Sequence, residues 1–172
     1  MNFAKYVVLL SALSILFALS ALVTVYAQGN VSYSGEPKFL AIQNAQSGSI
    51  SKINDTAYTL ELKNISKKTI LFSDRPDRIV KSISTSDFVG NWSSGADSFG
   101  EDAPNAVLVV DELEGHDNVI VELFNPVYNA NEKMLRYELI PNNTTMELAN
   151  ELGESTLVVD ASPTQVNPQI TD

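Results

Sequence analysis

A period-two alternation of apolar and polar residues, repeated in short runs, most restricts how this chain can fold. Thr56 to Lys63 shows it best: Tyr58, Leu60 and Leu62 fall on one side, and Thr59, Glu61 and Lys63 on the other. Met134 to Ile140 repeats it with Leu135, Tyr137 and Leu139. A strand turns successive side chains to opposite faces, so such runs describe strands with one side on a core and one in water. Lys38 to Gln43, Thr69 to Ser73, Ala106 to Val110, Val119 to Phe124 and Thr156 to Asp160 complete the predicted set. Thr56–Lys63 and Thr69–Ser73, joined by the polar stretch Asn64–Lys68, read as a hairpin. Asn125-Pro126 reads as a strand-ending turn with Tyr128 folded back over it, and Met146 to Leu152 as one or two helical turns.

One segment breaks the alternation. Ser84-Thr85-Ser86-Asp87 carries a helix-start signal, since a Ser or Thr hydroxyl caps the free amides of a first turn. Phe88, Val89 and Trp92 follow at helical spacing, and Gly90 and Gly95 keep the helix short. Trp92, the single tryptophan, is expected in the core because of its spacing from Phe88. The fold class that results is mainly β: a compact antiparallel β-sandwich or barrel with one short helical insertion, spanning residues 38–161.

The first residues have a different logic. Lys5 is followed by an apolar run from Tyr6 to Ala27, which closes on Val25-Tyr26-Ala27 before polar Gln28-Gly29-Asn30. That is the layout of a secretory signal peptide. The run is also long enough to cross a bilayer as a helix. Cleavage after Ala27 and retention as an N-terminal membrane anchor are therefore both open, and each predicts an extracytoplasmic location, secreted or held at the cell surface. Residues 28–37 read as a tether, and 162–172, with Pro163 and Pro168, as a flexible tail.

Composition narrows the chemistry. There is no cysteine, so burial alone must hold the domain together and thiol chemistry is excluded. The formal charge is −10, and loss of Lys5 with the leader takes it to −11. Such a surface repels phosphate backbones, which excludes nucleic acid as an expected partner and disfavours anionic lipid. Six N-x-S/T sequons, at Asn30, Asn54, Asn64, Asn91, Asn142 and Asn143, exceed what this composition gives by chance and mark candidate glycosylation positions in an exported chain. Asn64 and Asn91 stand beside apolar residues, which predicts poor access.

Phe72-Ser73-Asp74-Arg75-Pro76-Asp77-Arg78 is the densest polar cluster. Two readings apply to it. Arg75 and Arg78 form a fork for a carboxylate or phosphate, with Asp74 and Asp77 positioning them. Alternatively the four residues make a structural corner in which the arginines satisfy buried loop carbonyls. Exposure of the arginines favours the first, and internal pairing the second.

This cluster, followed by Ser84-Thr85-x-x-Phe88, Trp92, Asp97-Ser98-Phe99, Pro104-Asn105-Ala106 and Asn125-Pro126, resembles a family of small exported proteins of unknown function. The resemblance runs from Tyr58 to Asp160, where Ser155-Thr156-Leu157-Val158-Val159-Asp160 is similar to the family's closing strand. Some related chains carry a cysteine near that strand and this one does not, so the likeness implies a shared fold and export but no redox role.

Asp97, Glu101 and Asp102 form an acidic loop, a weak candidate for calcium. Phe99 stands where an EF-hand loop would place an oxygen ligand, so a solvated acidic loop is the alternative. His116, the single histidine, sits in the turn Glu114–Asn118 and falls short of the three protein ligands of catalytic zinc. There is no G-x-S-x-G nucleophile and only one histidine base. The function expected is a non-catalytic exported domain that binds a ligand or partner in the cell envelope. The alternatives are a structural, glycosylated surface module anchored by its N-terminal helix and, third, a small extracytoplasmic hydrolase.

Overall fold

A computed structural model of the chain describes residues 37–95, 98–110, 118–142 and 150–161. The protein is mainly β; the described residues form ten strands in one antiparallel sheet and one short helix. The strands are β1 (Phe39–Ala45), β2 (Ser47–Lys52), β3 (Tyr58–Lys63), β4 (Lys68–Ser73) and β5 (Val80–Ser84). Helix α1 (Thr85–Gly90) follows, and then β6 (Asn105–Val110), β7 (Asn118–Asn129), β8 (Met134–Pro141), β9 (Glu151–Leu152) and β10 (Ser155–Ala161). Their order across the sheet is β5-β4-β1-β10-β6-β7-β8-β3-β2-β9.

Alternation drives this arrangement. Leu60 and Leu62 of β3, Leu71 of β4, Leu108 of β6, Leu135, Tyr137 and Leu139 of β8 and Leu157 and Val159 of β10 all enter one core. The buried rows on β8 are those read from the sequence. The helix starts as its capping residue dictates: Ser84 Oγ accepts from the Asp87 amide at 2.9 Å. Its apolar side then puts Phe88 and, just beyond it, Trp92 into an aromatic cluster with Phe99 and Tyr137.

Several expectations need correction. Strands β3 and β4 are not a hairpin: β3 pairs with β2 and β8, and β4 with β1 and β5. The stretch between them is polar and exposed except at Ile65, which is buried with its amide bonded to Lys133 O, while the Ser66 amide bonds to Asn44 O. Burying that one apolar side chain carries the chain away from β3 instead of reversing it. Asn125-Pro126 does not end a strand either. β7 runs through it with a register shift between Phe124 and Val127, and Asn125 takes a left-handed φ of 48°. A bulge interrupts the ladder where Pro126 has no N–H to give, and asparagine tolerates the left-handed turn. Tyr128 packs, partly buried, against the core. Leu152 lies in strand β9, not in a helical turn.

Strand β2 was not expected, since Ser47-Gly48-Ser49 hides the alternation. It is separated from β1 by Gln46 alone, and its ladder with β9 continues the β1–β10 ladder in one register. Phe39 faces Ala161, Ala45 faces Ser155, and Gly48 faces Leu152. The leader (1–27), nearly all of the tether, His116 and the 162–172 tail lie outside the described residues.

Candidate functional site

The 72–78 cluster forms the turn between β4 and β5, with a cis Arg75–Pro76 peptide and Arg78 at φ 50°. Asp74, Arg75, Asp77 and Arg78 are all exposed. The turn is held by backbone and by Ser73, not by its charges. Ser73 is buried, and its Oγ accepts from the Ile79 amide at 2.8 Å. The Ser73 amide donates to Ile79 O, the Arg78 amide to Asp74 O, and the Arg75 amide to Asp74 Oδ1. The described residues form two ion pairs, Lys52–Asp55 and Lys63–Glu61, and neither touches this turn. The expected Asp–Arg pairing and the arginine bonds to buried carbonyls are therefore absent among the described residues. Four solvated side chains on a tight, backbone-pinned loop take their place.

Around that turn lie apolar side chains facing away from the core. Val80, Phe72 and Leu40 face one another across β5, β4 and β1, and they are 66%, 39% and 42% exposed. A second row runs further, from Ile70 through Ile42, Val158 and Val107 to Ile120, one residue from each of five adjacent strands. Cross-strand β-branched neighbours stabilise the sheet beneath them, yet they leave water-facing apolar surface. An open hollow of about 470 Å³ adjoins the rows, lined by Ser66, Lys68, Ile70, Val80, Lys81 and Ser82.

Charge concentrates in the same hairpin. Lys67, Lys68, Arg75, Arg78 and Lys81 are five of the chain's eleven basic residues, against Asp74 and Asp77, so 67–81 is +3 within a chain of −10. Neither Lys68 nor Lys81 is ion-paired among the described residues. This basic, partly apolar strand edge is the feature that sequence patterning passes over. Its signal was the β-branched set Ile79, Val80 and Ile83 after the turn, obscured by Lys81 and Ser82.

The remaining candidates separate from it. Glu101 and Asp102 are exposed, their amides both bonded to Ser98 O, and Asp97 lies outside the described residues. Among the described residues, no group of three or more His, Asp or Glu is placed to hold a metal. Of the sequons, Asn30 and Asn143 lie outside the described residues, while Asn54, Asn64 and Asn142 are exposed. Asn64 is thus more accessible than its neighbours suggested, whereas Asn91 is half-buried. Asn54 uses Oδ1 to accept from the Thr56 and Ala57 amides, an Asx turn closing the β2–β3 connection.

A buried polar chain runs inside the domain. The Tyr137 hydroxyl donates to Gln43 Oε1 at 3.0 Å, and Gln43 Nε2 donates to Thr69 Oγ1 at 3.2 Å. Thr69 and Thr85 hydroxyls lie 3.2 Å apart, and Thr85 Oγ1 donates to Ser66 O at 2.8 Å. Because the Thr85 proton goes to Ser66, the Thr69 hydroxyl must donate to Thr85, so the whole chain is polarised one way. Burial pushes the Tyr137 phenol above its ordinary range. No nucleophile–base pair is part of it, and its role is structural. No protein-family model, curated protein or solved structure matches the chain.

Proposed function

We propose that this chain is an exported, non-catalytic β domain that binds a ligand or partner in the cell envelope through its β4–turn–β5 hairpin. The observation that carries the reading is the exposure of Arg75 and Arg78 without an ion-pair partner among the described residues, next to outward-facing Phe72 and Val80. Guanidinium groups beside apolar surface combine forked donors with desolvation, the mixture that recognises carboxylate- or phosphate-bearing partners. A purely structural module would have spent these charges inside the corner.

The pairings also favour a barrel. Starting at β1, the ladders lead through β10, β6, β7, β8 and β3 to β2, the continuation of β1 itself. Since β9 and β10 share one register along the 39–52 run, the path leaves that run on one side and returns on the other. We infer a closed six-stranded barrel, with β4 and β5 attached to β1 outside the ring. Closure removes edges, and the hairpin restores one at β5.

The test is retention of envelope material on the immobilised chain, compared with an Arg75→Glu/Arg78→Glu double variant of unchanged melting temperature. Loss of a specific retained component in the variant is expected. Identical retention by both proteins would refute the assignment.

A further inference from the structure

The free edge of β5 has a determinable hydrogen-bonding phase. The Ser73 amide donates to Ile79 O at one end of the β4–β5 ladder, and the Thr85 amide to Lys67 O at the other. Opposed residues are Phe72 with Val80, Leu71 with Lys81, Ile70 with Ser82 and Thr69 with Ile83. Antiparallel pairs alternate between those that exchange both bonds and those that exchange none. The bonded pairs within the ladder are therefore Leu71–Lys81 and Thr69–Ile83, in phase with the single backbone bonds of Ser73–Ile79 and Lys67–Thr85 at its two ends. The N–H and C=O groups of Val80 and Ser82 consequently point away from β4. β5 is also the first strand of the sheet, with no neighbour beyond it among the described residues.

Side chains alternate in step with this edge. Val80 and Ser82 project with Ile70 and Phe72 onto the outer face, beside the hollow that Lys68 and Lys81 also line. Lys81 occupies the opposite phase. A strand laid antiparallel along β5 would meet an apolar wall at one parity and an ammonium group at the other.

We propose that β5 is the site of strand addition by an extended partner segment in which apolar residues alternate with Asp or Glu. The proposal rests on the binding role assigned above to this hairpin and names its partner class. Main-chain bonds to Val80 and Ser82 supply the attachment, and alternate side chains supply selectivity. Charge decides the occupant. The hairpin is +3 while the whole chain is −10. A second copy joined edge to edge would set Lys81 of one hairpin against that of the other, whereas an acidic segment neutralises it.

The test uses the full chain and a short dye-labelled peptide alternating valine and glutamate, followed by fluorescence anisotropy. A saturable rise is expected, weakening with added salt, and a valine–lysine peptide should bind at least about tenfold less tightly. Ser82→Pro removes only an outward N–H and spares the β4 ladder, so it should abolish binding without lowering the melting temperature. Lys81→Glu covers the case in which that proline variant misfolds: its preference should invert toward the lysine peptide.

Three results would overturn strand addition: no saturable signal with the glutamate peptide, equal binding of both peptides, or full binding by a folded Ser82→Pro protein. So would capture on anionic phospholipid vesicles that Ser82→Pro leaves intact while the glutamate peptide stays unbound, which assigns the face to lipid. If Arg75→Glu/Arg78→Glu loses envelope retention but Ser82→Pro keeps it, the hairpin binds by another mode. Peptide binding indifferent to the arginines would instead retain the edge and refute the turn.

Discussion

Tyr137 and Gln43 stand 94 residues apart in the chain, and the hydroxyl of one donates to Oε1 of the other across 3.0 Å of fully buried space. The bond links β8 to β1, strands that are not neighbours in the sheet. Through Thr69 and Thr85 it reaches the Ser66 carbonyl, tying β4 and the start of α1 to the same network. Every described buried side-chain polar atom has a partner. Such a satisfied network fixes one packing of the core over its near alternatives, because a slip of any member strands the others.

Tyr137→Phe removes the donor and leaves Gln43 Oε1 buried without one. The expected cost is about 1–3 kcal/mol, the usual penalty for an orphaned buried polar group. Chemical denaturation of the variant against the parent measures it. A Tyr137→Phe/Gln43→Leu protein should recover part of the loss, since both partners then become apolar. A single-variant change below about 0.5 kcal/mol would show that the network contributes no stability.

Alkaline pH should expose the same residue. Burial holds the folded Tyr137 phenol above its ordinary value of 10.0, so the unfolded chain releases this proton first. The stability it contributes is whole below pH 10 and declines as pH rises above it, by about 1.4 kcal/mol per unit for one proton. Unfolding free energies measured from pH 9 upward should show this slope in the parent and a shallower one in Tyr137→Phe. Equal slopes would mean that Tyr137 ionises freely while folded.

Strand content was legible wherever one face is buried, as in β3 and β8, because alternation there is a direct record of burial. It failed where the record is blurred. β2 begins with Ser47-Gly48-Ser49, and β5 places Lys81 at a parity that a hairpin interior would fill with an apolar residue. Partner choice was not legible at all: whether Ile65 tops a turn or enters the core decides whether β3 and β4 pair, and no local pattern encodes that. The polar turn was found from its composition. Its mechanics were left open between an exposed fork and a charged corner, because nothing in the composition reveals that backbone bonds and Ser73 hold the turn.

That contrast is testable. Arg75→Ala should leave the unfolding free energy within about 0.5 kcal/mol of the parent, since the exposed side chain makes no ion pair among the described residues. Ser73→Ala should cost about 1–3 kcal/mol, because the Ile79 amide loses its acceptor in a partly buried site. The reverse ranking in thermal unfolding would restore the arginine corner.

The β1–β2 join gives the sharpest steric case. Gly48 is the first buried residue after the β1–β2 join, and a Cβ built there would meet the Glu61 carbonyl oxygen at 2.7 Å, with Leu62 and Leu152 side chains just beyond. The obstacle is backbone of the paired strand β3, which cannot rotate aside as a side chain does. Gly48→Ala must therefore push β2 off β3 or tilt it, and β9 with it. A loss of about 1–3 kcal/mol is expected, the range for overfilling a packed site, despite alanine's lower unfolded-state entropy. Gly90→Ala has no atom within 4 Å of its new Cβ and serves as the control, neutral or slightly stabilising. Should the two variants unfold alike, the close passage of β2 over β3 would be wrong.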